Sequence, residues 1–482
     1  MTDSRFFREA CFIGGEWVSA AGDAIKVNNP ATGEIIGAVP KLGREETAKA
    51  IDAASTAFPE WRATSPDERA KYCMAIHDAL MDNQPALGEL LTIEMGKPLA
   101  EAKGEIAYGA AFFKWFAEEA RRVYGDIIPS PWADKRIVVT KEPVGVVGSI
   151  TPWNFPNAMI ARKAAAALAS GCTIVCKPAS QTPFSALAFG VIAEDVGLPK
   201  GVLNVITGSA AAIADELCEN DAVRKITFTG STEIGKSLSA KAMAKLKRVS
   251  MELGGNAPLI IFDDADLDAA LDGAIACKFR NSGQTCVCAN RILVQSGIYD
   301  AFSEKLSQKV RALKVGDGLA DGTDQGPLID DSAIQKVEEH IEDATRKGAS
   351  ITAGGKRHEK GGTYFEPTLL TDVTADMLIA KDETFGPVAP LFRFDTEEEA
   401  VKMANDTEYG LASYFYTKDL GRAWRVMEAL EYGMVAVNEG ILSTPTAPFG
   451  GVKESGFGRE GSKYGLEDYL NIKYGLFGGL GK

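Results

Sequence analysis

The chain has 482 residues and a formal net charge of −14 at pH 7, which argues against general binding to nucleic acid or to an anionic membrane surface. Hydrophobic residues make up 45% and charged residues 24% of the chain, a composition typical of globular rather than disordered proteins. A chain this long exceeds the usual size of one hydrophobic core, so two or more domains are expected. No apolar run is long enough for a membrane helix, and the polar segment Met1–Ala10 lacks the apolar core of a signal peptide, which together predict a cytoplasmic protein.

Cysteine and histidine are both sparse. The 8 cysteines are too few for a disulfide scaffold. The 3 histidines, His77, His340 and His358, offer little for a zinc site or for a cysteine–histidine pair. We therefore predict no metal site, and we expect a carboxylate to serve as the base for any nucleophilic cysteine.

The N-terminal part is predicted to form a short hairpin and then long helices. Residues 12–18 contain two adjacent glycines between short apolar stretches, a pattern typical of a hairpin. Between residues 44 and 120 apolar residues recur at helical spacing, with breaks near Pro66 and Pro85. Two strand patterns, 136–142 and Tyr469–Tyr474, lie far apart and flank the rest of the chain. They are expected to pair into a small sheet of their own, whose edges commonly recruit another subunit.

From Pro143 onward strands and helices alternate, which predicts a parallel, doubly wound sheet. A second series of the same kind follows Gly255, so we expect two α/β domains with a cleft between them. The predicted strands are 144–150, 173–176, 202–206, 226–229, 259–262, 292–294 and 435–437, and the predicted helices include 158–170, 183–195, 267–280 and 298–313.

The decapeptide Phe279–Cys288 places Cys286 among small and polar residues, with Arg280 six residues upstream. A thiol must be partly ionised to attack carbon, and nearby cations or backbone amides favour its ionisation. An isolated cysteine is more often a small buried hydrophobe. Cys286 is therefore a candidate nucleophile only when it is considered together with the other candidate residues.

Two of those residues suit acyl chemistry. Asn154 follows a buried strand and lies between prolines, so it is a rigid amide donor suited to an oxyanion hole, although an ordinary turn asparagine is the alternative. Glu252 has apolar neighbours, which disfavour its charged form and suit a base that works near neutral pH. The alternative for Glu252 is a carboxylate that caps or solvates a loop.

Other positions suit a ligand with phosphates and sugars. Lys177 ends a buried strand, where open α/β sheets bind ligands. Gly230 and Ser231 join a strand to a helix whose N-terminal amides suit a pyrophosphate, although two glycines alone are weak evidence. Glu383 lies in a tight turn, and Pro448–Lys453 is interpreted as a structural loop.

Taken together and in this order, the motifs resemble those of the aldehyde dehydrogenase superfamily over nearly the full chain. They are Gly14–Trp17, Pro152–Pro156, Lys177–Ala179, Phe228–Ser231, Glu252–Gly255, Gly283–Cys286, Glu383–Pro387 and Pro448–Gly451. The resemblance implies an α/β fold with a Rossmann-type cofactor domain, an α/β catalytic domain and a small oligomerisation sheet. The implied limits are 1–122 and 143–254 for the dinucleotide-binding domain, 255–455 for the catalytic domain, and 123–142 and 456–482 for oligomerisation or bridging segments.

Within the superfamily the chain is most similar to the succinate-semialdehyde dehydrogenases, through Phe279–Asn281, Cys286–Cys288 and Gly458–Gly465. This resemblance implies that Cys286 attacks the aldehyde as a thiolate and forms a thiohemiacetal. Asn154 and the backbone amide of Cys286 would hold the oxyanion, and Glu252 would activate the water that hydrolyses the later thioester. Relatives that pass the acyl group to coenzyme A typically lack this base, so hydrolysis is expected. A homodimer or homotetramer that takes part in GABA degradation is also implied.

The same resemblance implies a nicotinamide cofactor. Its implied contacts are Trp153, Lys177, Ser180, Gly230, Ser231, Leu253, Glu383 and Phe385. Glu383 matches the family's ligand for the nicotinamide ribose, and Lys177 matches its ligand for the adenosine ribose. Family members selective for NAD often carry a glutamate at the position of Ser180, where it repels a 2′-phosphate. The serine predicts that NADP is accepted and preferred, with NAD as the second cofactor.

Arg162, Arg280 and Ser443 match the residues with which the family branch binds the substrate's carboxylate. Guanidinium groups give directional, charge-assisted bonds that a lysine does not reproduce. The alternative for either arginine is a surface salt bridge. Cys288 lies two residues after Cys286, and relatives with this pair form a reversible disulfide, so a redox switch is a further hypothesis.

Three other functions remain open at this point. Glutarate semialdehyde is one methylene longer than succinate semialdehyde, and apolar pockets discriminate a methylene only about 10–200-fold. A non-catalytic structural relative is disfavoured by the intact Cys286, Asn154 and Glu252. A cysteine hydrolase is disfavoured because no histidine lies near Cys286 in the sequence.

Overall fold

The computed structural model describes residues 5–19 and 22–480. The segment Met1–Ala10, on which the localisation prediction depends, therefore lies partly outside the described residues. Among residues 5–19 and 22–480, none of the helices combines the length and the apolar composition that a membrane crossing requires.

The strands and helices of the described residues are numbered separately in chain order. The strands are β1 Cys11–Ile13, β2 Glu16–Val18, β3 Ala24–Asn28, β4 Ile35–Pro40, β5 Asp126–Ile128, β6 Arg136–Pro143, β7 Val146–Ile150, β8 Thr173–Lys177, β9 Leu203–Val205, β10 Val223–Thr229, β11 Arg248–Glu252, β12 Ala257–Ile261, β13 Ala289–Gln295, β14 Ser350–Ala353, β15 Thr368–Thr371, β16 Val388–Phe394, β17 Ala412–Tyr416, β18 Met434–Val437, β19 Gly456–Phe457 and β20 Leu470–Phe477. The helices are α1 Arg44–Ala63, α2 Pro66–Asp82, α3 Gln84–Met95, α4 Leu99–Glu119, α5 Ala158–Ser170, α6 Phe184–Asp195, α7 Ala210–Glu219, α8 Thr232–Met243, α9 Leu267–Phe279, α10 Tyr299–Ala312, α11 Asp331–Arg346, α12 Leu378–Lys381, α13 Glu397–Asn405, α14 Leu420–Ala429 and α15 Tyr464–Glu467.

The first large sheet has the strand order β19-β11-β10-β7-β8-β9-β1-β2. Its five central strands, β7 to β11, run parallel, and the short edge strands are antiparallel to their neighbours. Apolar residues of α2 to α6 pack on one face, and those of α1, α7 and α8 pack on the other. The prediction of a doubly wound parallel sheet is confirmed.

The second large sheet has the order β14-β15-β16-β13-β12-β17-β18 and is parallel except for β14. One core on it includes residues of α9 and α10, and another includes residues of α11, α13 and α14. Nearly continuous apolar strands such as β12 are buried along their whole length, as expected for a sheet covered on both faces. The second predicted α/β series is therefore confirmed, whereas β14 to β17 were not foreseen.

The two outlying strands do pair with each other. β20 lies antiparallel to β6, from Leu470 opposite Pro143 to Phe477 opposite Arg136, and β5, which was not foreseen, completes a three-stranded sheet. Ile127 and Ile472 on this sheet are 80% and 75% exposed. Its role in oligomerisation stays a prediction, as do the domain limits.

The N-terminal predictions are also confirmed. β1 and β2 form the hairpin predicted at residues 12–18, beginning one residue earlier at Cys11, and the breaks in the helical region coincide with the starts of α2 and α3. Pro66 occupies the first turn of α2, where its missing N–H costs no hydrogen bond, and Ser65 caps the helix by accepting from Glu68 N at 3.2 Å. The hairpin of β3 and β4 was not foreseen.

Candidate active site

Cys286 is half-buried between the two large sheets, just after the tight turn Arg280–Gly283. Close backbone contacts fix this loop. A Cβ atom on Gly255 would lie 2.6 Å from the carbonyl oxygen of Cys286, and one on Gly283 would lie 2.1 Å from the carbonyl oxygen of Gly386. Glycine at both positions therefore allows the cysteine loop to contact the end of the first sheet and the turn that carries Glu383.

Two cavities meet at the cysteine, since Cys286 and Met159 line both. The larger has a volume of about 490 Å³ and lies at the carboxyl ends of strands β7, β10 and β11. The smaller has a volume of about 290 Å³ and lies on the side of helices α4 and α5. The site thus has two compartments, with the thiol between them.

Burial controls the state of the Cys286 thiol. It raises the pKa of Cys286 to about 12, and the attraction of Arg162 opposes this rise without overcoming it. Nearby cations were expected to favour the thiolate. Because desolvation outweighs that attraction, the resting thiol is protonated at neutral pH.

Glu252 ends β11 and is 2% exposed. Neither of its carboxyl oxygens has a hydrogen-bond partner in the described part of the chain. Burial raises the pKa of Glu252 well above its usual value, repulsion from Glu460 adds to the rise, and attraction by Arg162 and Lys163 opposes it. The side chain is thus a buried carboxyl group without a partner, and it lines neither of the two cavities, so its role as the base stays a prediction.

Asn154 lies in the loop between β7 and α5 and lines the larger cavity. Its Nδ2 donates to the carbonyl oxygen of Gln284 at 3.0 Å, while its Oδ1 has no partner among the described residues. The amide is therefore attached to the backbone two residues before the cysteine. One N–H of Nδ2 is used in this bond, which leaves the second available.

Most of the residues expected to bind a cofactor lie in the larger cavity. The rings of Trp153 and Phe385 meet edge to face at 5.5 Å. Glu383 accepts from Gly255 N at 3.3 Å, and burial raises its pKa to about 7. The expected residues that line this cavity are Trp153, Gly230, Ser231, Leu253, Glu383 and Phe385.

Lys177 and Ser180 are not part of that lining and lie at the end of β8 and just beyond it. Lys177 is 5% exposed, and its side chain makes no hydrogen bond or ion pair with any described residue. Burial without a counter-ion lowers its pKa to about 8. Ser180 is half-buried and equally unpaired, and the neighbouring Gln181 lines the cavity although the sequence did not single it out.

The structure brings Arg162, Arg280 and Ser443 together in the smaller cavity. The two arginines differ in their surroundings. Arg162 is 1% exposed and forms an ion pair with Glu460, which also pairs with Lys163. Arg280 forms no ion pair or side-chain hydrogen bond with the described residues, and its guanidinium carbon lies 5.6 Å from the ring centre of Phe155.

Cys288, the expected redox partner, is buried in the same loop. Its thiol lies 3.9 Å from the carbonyl oxygen of Arg280. Burial raises the pKa of this thiol, and attraction by Lys278 and Arg280 opposes the rise. Both cysteines are free in the structure.

Several buried polar residues of the site were missed from the sequence. Lys163 donates to Thr229 Oγ1 at 2.7 Å and pairs with Glu460, next to Glu252 in the charge network. Lys97 and Glu105 form another buried pair beside Asn154. Charged residues within apolar helices, such as Lys163 in the alanine-rich α5, were the available signal, because a buried charge needs a partner.

The aldehyde dehydrogenase family model matches residues 17–474. Among curated proteins, the chain is 60% identical to a glutarate-semialdehyde dehydrogenase of Pseudomonas aeruginosa, over 100% of both chains. It is 59% identical to the succinate-semialdehyde dehydrogenase [NADP(+)] GabD of Escherichia coli, over 99% of each. A crystal structure described as an E. coli NADP dependent enzyme superposes with a TM-score of 0.98 at 59% identity, covering 99% of this chain and 100% of the other.

Proposed function

The chain belongs to the aldehyde dehydrogenase family, and from that premise we propose that it oxidises succinate semialdehyde to succinate, with NADP preferred over NAD. The observation that carries the substrate proposal is the unpaired guanidinium of Arg280 in the cavity that Cys286 also lines. Arg280 is half-buried and is attracted by Glu101 of the same cavity, but no carboxylate is hydrogen-bonded to its guanidinium, so a ligand carboxylate can pair with it directly. A substrate with a carboxylate at one end and an aldehyde at the other supplies a counter-charge for Arg280 and a carbon that Cys286 can attack.

The larger cavity has features that fit a nicotinamide cofactor. The first turn of α8 is not capped by the side chain of Ser231, so its amides are free for a phosphate. The unpaired ammonium of Lys177 suits a ribose or its 2′-phosphate, and no carboxylate stands at Ser180 to repel that phosphate. Glu383 and the Trp153–Phe385 pair suit the nicotinamide end. A nicotinamide bound there would supply a hydride acceptor for the carbon attached to Cys286, which is the oxidation that converts a thiohemiacetal into a thioester.

The residues of the chain have separate tasks in this proposal. The thiol proton of Cys286 passes to solvent water, the resulting thiolate forms a bond to the aldehyde carbon, and the carbonyl oxygen becomes an oxyanion. Asn154 and the backbone N–H of Cys286 donate to that oxyanion, and one such donor contributes roughly 3–4 kcal/mol in comparable sites. Glu252 then takes a proton from the water that attacks the thioester, the C–S bond breaks to release the acid, and Glu252 returns the proton to the sulfur of Cys286. Because Glu252 lines neither cavity, its side chain must turn toward Cys286 for this step.

Glu252→Gln tests the base. It is expected to leave a burst of reduced cofactor, since hydride transfer precedes hydrolysis, and to slow the steady-state rate strongly. The burst is measured by stopped-flow absorbance. An unchanged steady-state rate would mean that another group activates the water.

The substrate is tested with semialdehydes of increasing length, each assayed with NADP and with NAD. The highest kcat/KM is expected with succinate semialdehyde and NADP. Glutarate semialdehyde is the second candidate, because a relative of that name is 60% identical to this chain. A higher kcat/KM for glutarate semialdehyde than for succinate semialdehyde would identify the five-carbon compound as the substrate. Rates with uncharged aldehydes equal to those with the semialdehydes would refute both candidates.

A further inference from the structure

Lys97 and Glu105 form an ion pair beneath the loop that carries Asn154. The Nζ of Lys97 donates to Glu105 Oε2 at 2.6 Å and to the carbonyl oxygen of Asn154 at 2.7 Å, and both side chains are fully buried. The same Nζ lies 3.8 Å from the ring centre of Phe155. A buried ion pair adds little net stability over apolar residues of the same size, so its presence here calls for a reason beyond stability.

Glu105 attaches the other end of the same loop. Its Oε1 accepts hydrogen bonds from the backbone N–H groups of Asn157 at 2.9 Å and Ala158 at 3.1 Å. These amides begin α5, where a carboxylate is favourable to the helix dipole. The pair thus holds the segment from Asn154 to Ala158 at both ends.

Asn281 approaches the same carbonyl oxygen from the cysteine loop. Its Nδ2 donates to Asn154 O at 3.1 Å and to Gln284 O at 3.2 Å, and its backbone N–H donates to Glu101 Oε2 at 2.9 Å. Its φ of 53° lies in the left-handed region, which asparagine tolerates better than most residues. The Asn154 backbone therefore has two side-chain donors, one from each side of the active site.

We propose that Lys97, held by Glu105, is a positioning residue that fixes the Asn154 backbone so that its amide keeps one N–H on Gln284 and directs the other to the oxygen of an aldehyde at Cys286. The inference rests on the proposed role of Asn154 as oxyanion donor. A donor acts at full strength only if it is preorganised, and a displacement of about 1 Å costs on the order of 10²-fold in rate. Lys97 itself touches no reacting atom in this scheme.

A double-mutant cycle between Lys97→Met and Asn154→Ala tests the proposal. The readout is the single-turnover rate of reduced-cofactor formation with succinate semialdehyde. Asn154→Ala alone is expected to slow it on the order of 10²–10³-fold, and Lys97→Met alone by about 10-fold or more, with the aldehyde KM changed far less than kcat. In the Asn154→Ala background, Lys97→Met is expected to slow it by less than about 2-fold, since no amide is left to position.

The outcomes separate the two hypotheses. If Asn154→Ala has no effect, its oxyanion role is wrong and the positioning inference falls with it. If Asn154→Ala slows the reaction but Lys97→Met slows it equally in both backgrounds, or not at all, only the positioning inference is overturned.

Two further variants control for folding. Lys225→Met removes another buried lysine, one that donates to Ser250 Oγ and lies 4.8 Å from the ring centre of Tyr469. It is expected to lower the melting temperature without changing the single-turnover rate in either background. Should Lys97→Met fail to fold, Asn281→Gly removes the second donor to the same carbonyl oxygen while glycine accepts the positive φ. The same coupling with Asn154→Ala is then expected, and additive effects would overturn the proposal.

Discussion

Arg162 and Glu460 form a buried ion pair that joins the wall of the smaller cavity to the surroundings of Glu252. Arg162, from α5, lines that cavity, and Glu460 comes from the C-terminal segment that follows β19. Repulsion from Glu460 is the largest electrostatic cause of the raised pKa of Glu252 after burial, and Lys163 binds the other oxygen of Glu460. The charge state of Glu252, the proposed base, therefore depends on Glu460, which also neutralises Arg162, a proposed binding residue for the substrate's carboxylate.

Glu460→Gln is expected to move the rising limb of the pH–rate profile to lower pH. Glu252 acts in its deprotonated form, so the rate rises through its pKa. Removal of the negative charge lowers that pKa, because the attraction of Arg162, Lys163 and Arg459 for the Glu252 carboxylate is then no longer offset by Glu460. The measurement is kcat against pH, with the melting temperature recorded alongside.

Glu454→Gln is the matched control for that prediction. Glu454 lies just before β19, is half-buried and pairs with Lys236 at 2.5 Å. Its replacement is expected to leave the pH profile unchanged. If the rising limb of the pH–rate profile of Glu460→Gln stays in place or moves to higher pH, the electrostatic coupling between Glu460 and Glu252 is contradicted.

Arg280→Met is expected to raise the KM for succinate semialdehyde about 10–100-fold, because a charge-assisted hydrogen bond contributes about 1.5–3 kcal/mol. Arg162→Met is expected to raise it less, since Glu460 already neutralises Arg162. Butanal, which lacks the carboxylate, serves as the control substrate, and its KM is expected to change little. Equal effects on the two aldehydes would refute anion binding by Arg280.

Ser180→Glu is expected to lower kcat/KM with NADP by about 100-fold or more, equivalent to about 2.7 kcal/mol, while kcat/KM with NAD changes only several-fold. The cause is repulsion between the new carboxylate and the 2′-phosphate. Ser180→Gln adds the same bulk without the charge and is expected to retain most NADP activity. A wild-type enzyme that strongly prefers NAD, or equal losses in the two variants, would contradict the assignment.

The Cys286–Cys288 hypothesis predicts that peroxide inactivates the enzyme and that dithiothreitol restores it, with the disulfide seen by mass spectrometry. Burial raises the pKa of both thiols, and the thiolate is the form that reacts. Inactivation is therefore expected to accelerate as the pH rises. Cys288→Ser is expected to lose activity without recovery, and the absence of a bond in the wild type would exclude the switch.

Ile472→Asp is expected to reduce the size of the assembly measured by light scattering after gel filtration. Ile472 is 75% exposed on β20, and a carboxylate there would have to be buried if the sheet packs against another subunit. Leu420→Asp, at an 84% exposed position on α14 outside this sheet, is the control. Equal masses for wild type and Ile472→Asp would exclude this sheet as the interface.

Much of the fold was predictable because periodicity is a local property. The apolar runs at Val146–Ile150 and Thr173–Lys177, and the helix between them, follow from hydrophobic pattern alone. The pairing of β6 with β20 also followed, since two isolated strands need a partner. Short strands such as β5 and β19 contain too few residues to show a hydrophobic pattern. They form because they pair with longer strands, β6 and β11.

For the site, the sequence by itself determined which residue types are present and the order of the motifs, and through them the resemblance to a family. It did not determine that the Cys286 thiol is protonated at rest, that Arg162 is neutralised while Arg280 is not, or that Lys97 reaches the Asn154 backbone. These properties depend on burial and on contacts between residues far apart in the chain, such as Arg162 and Glu460. Desolvation and Coulomb energy act through space, so only the tertiary structure could decide them.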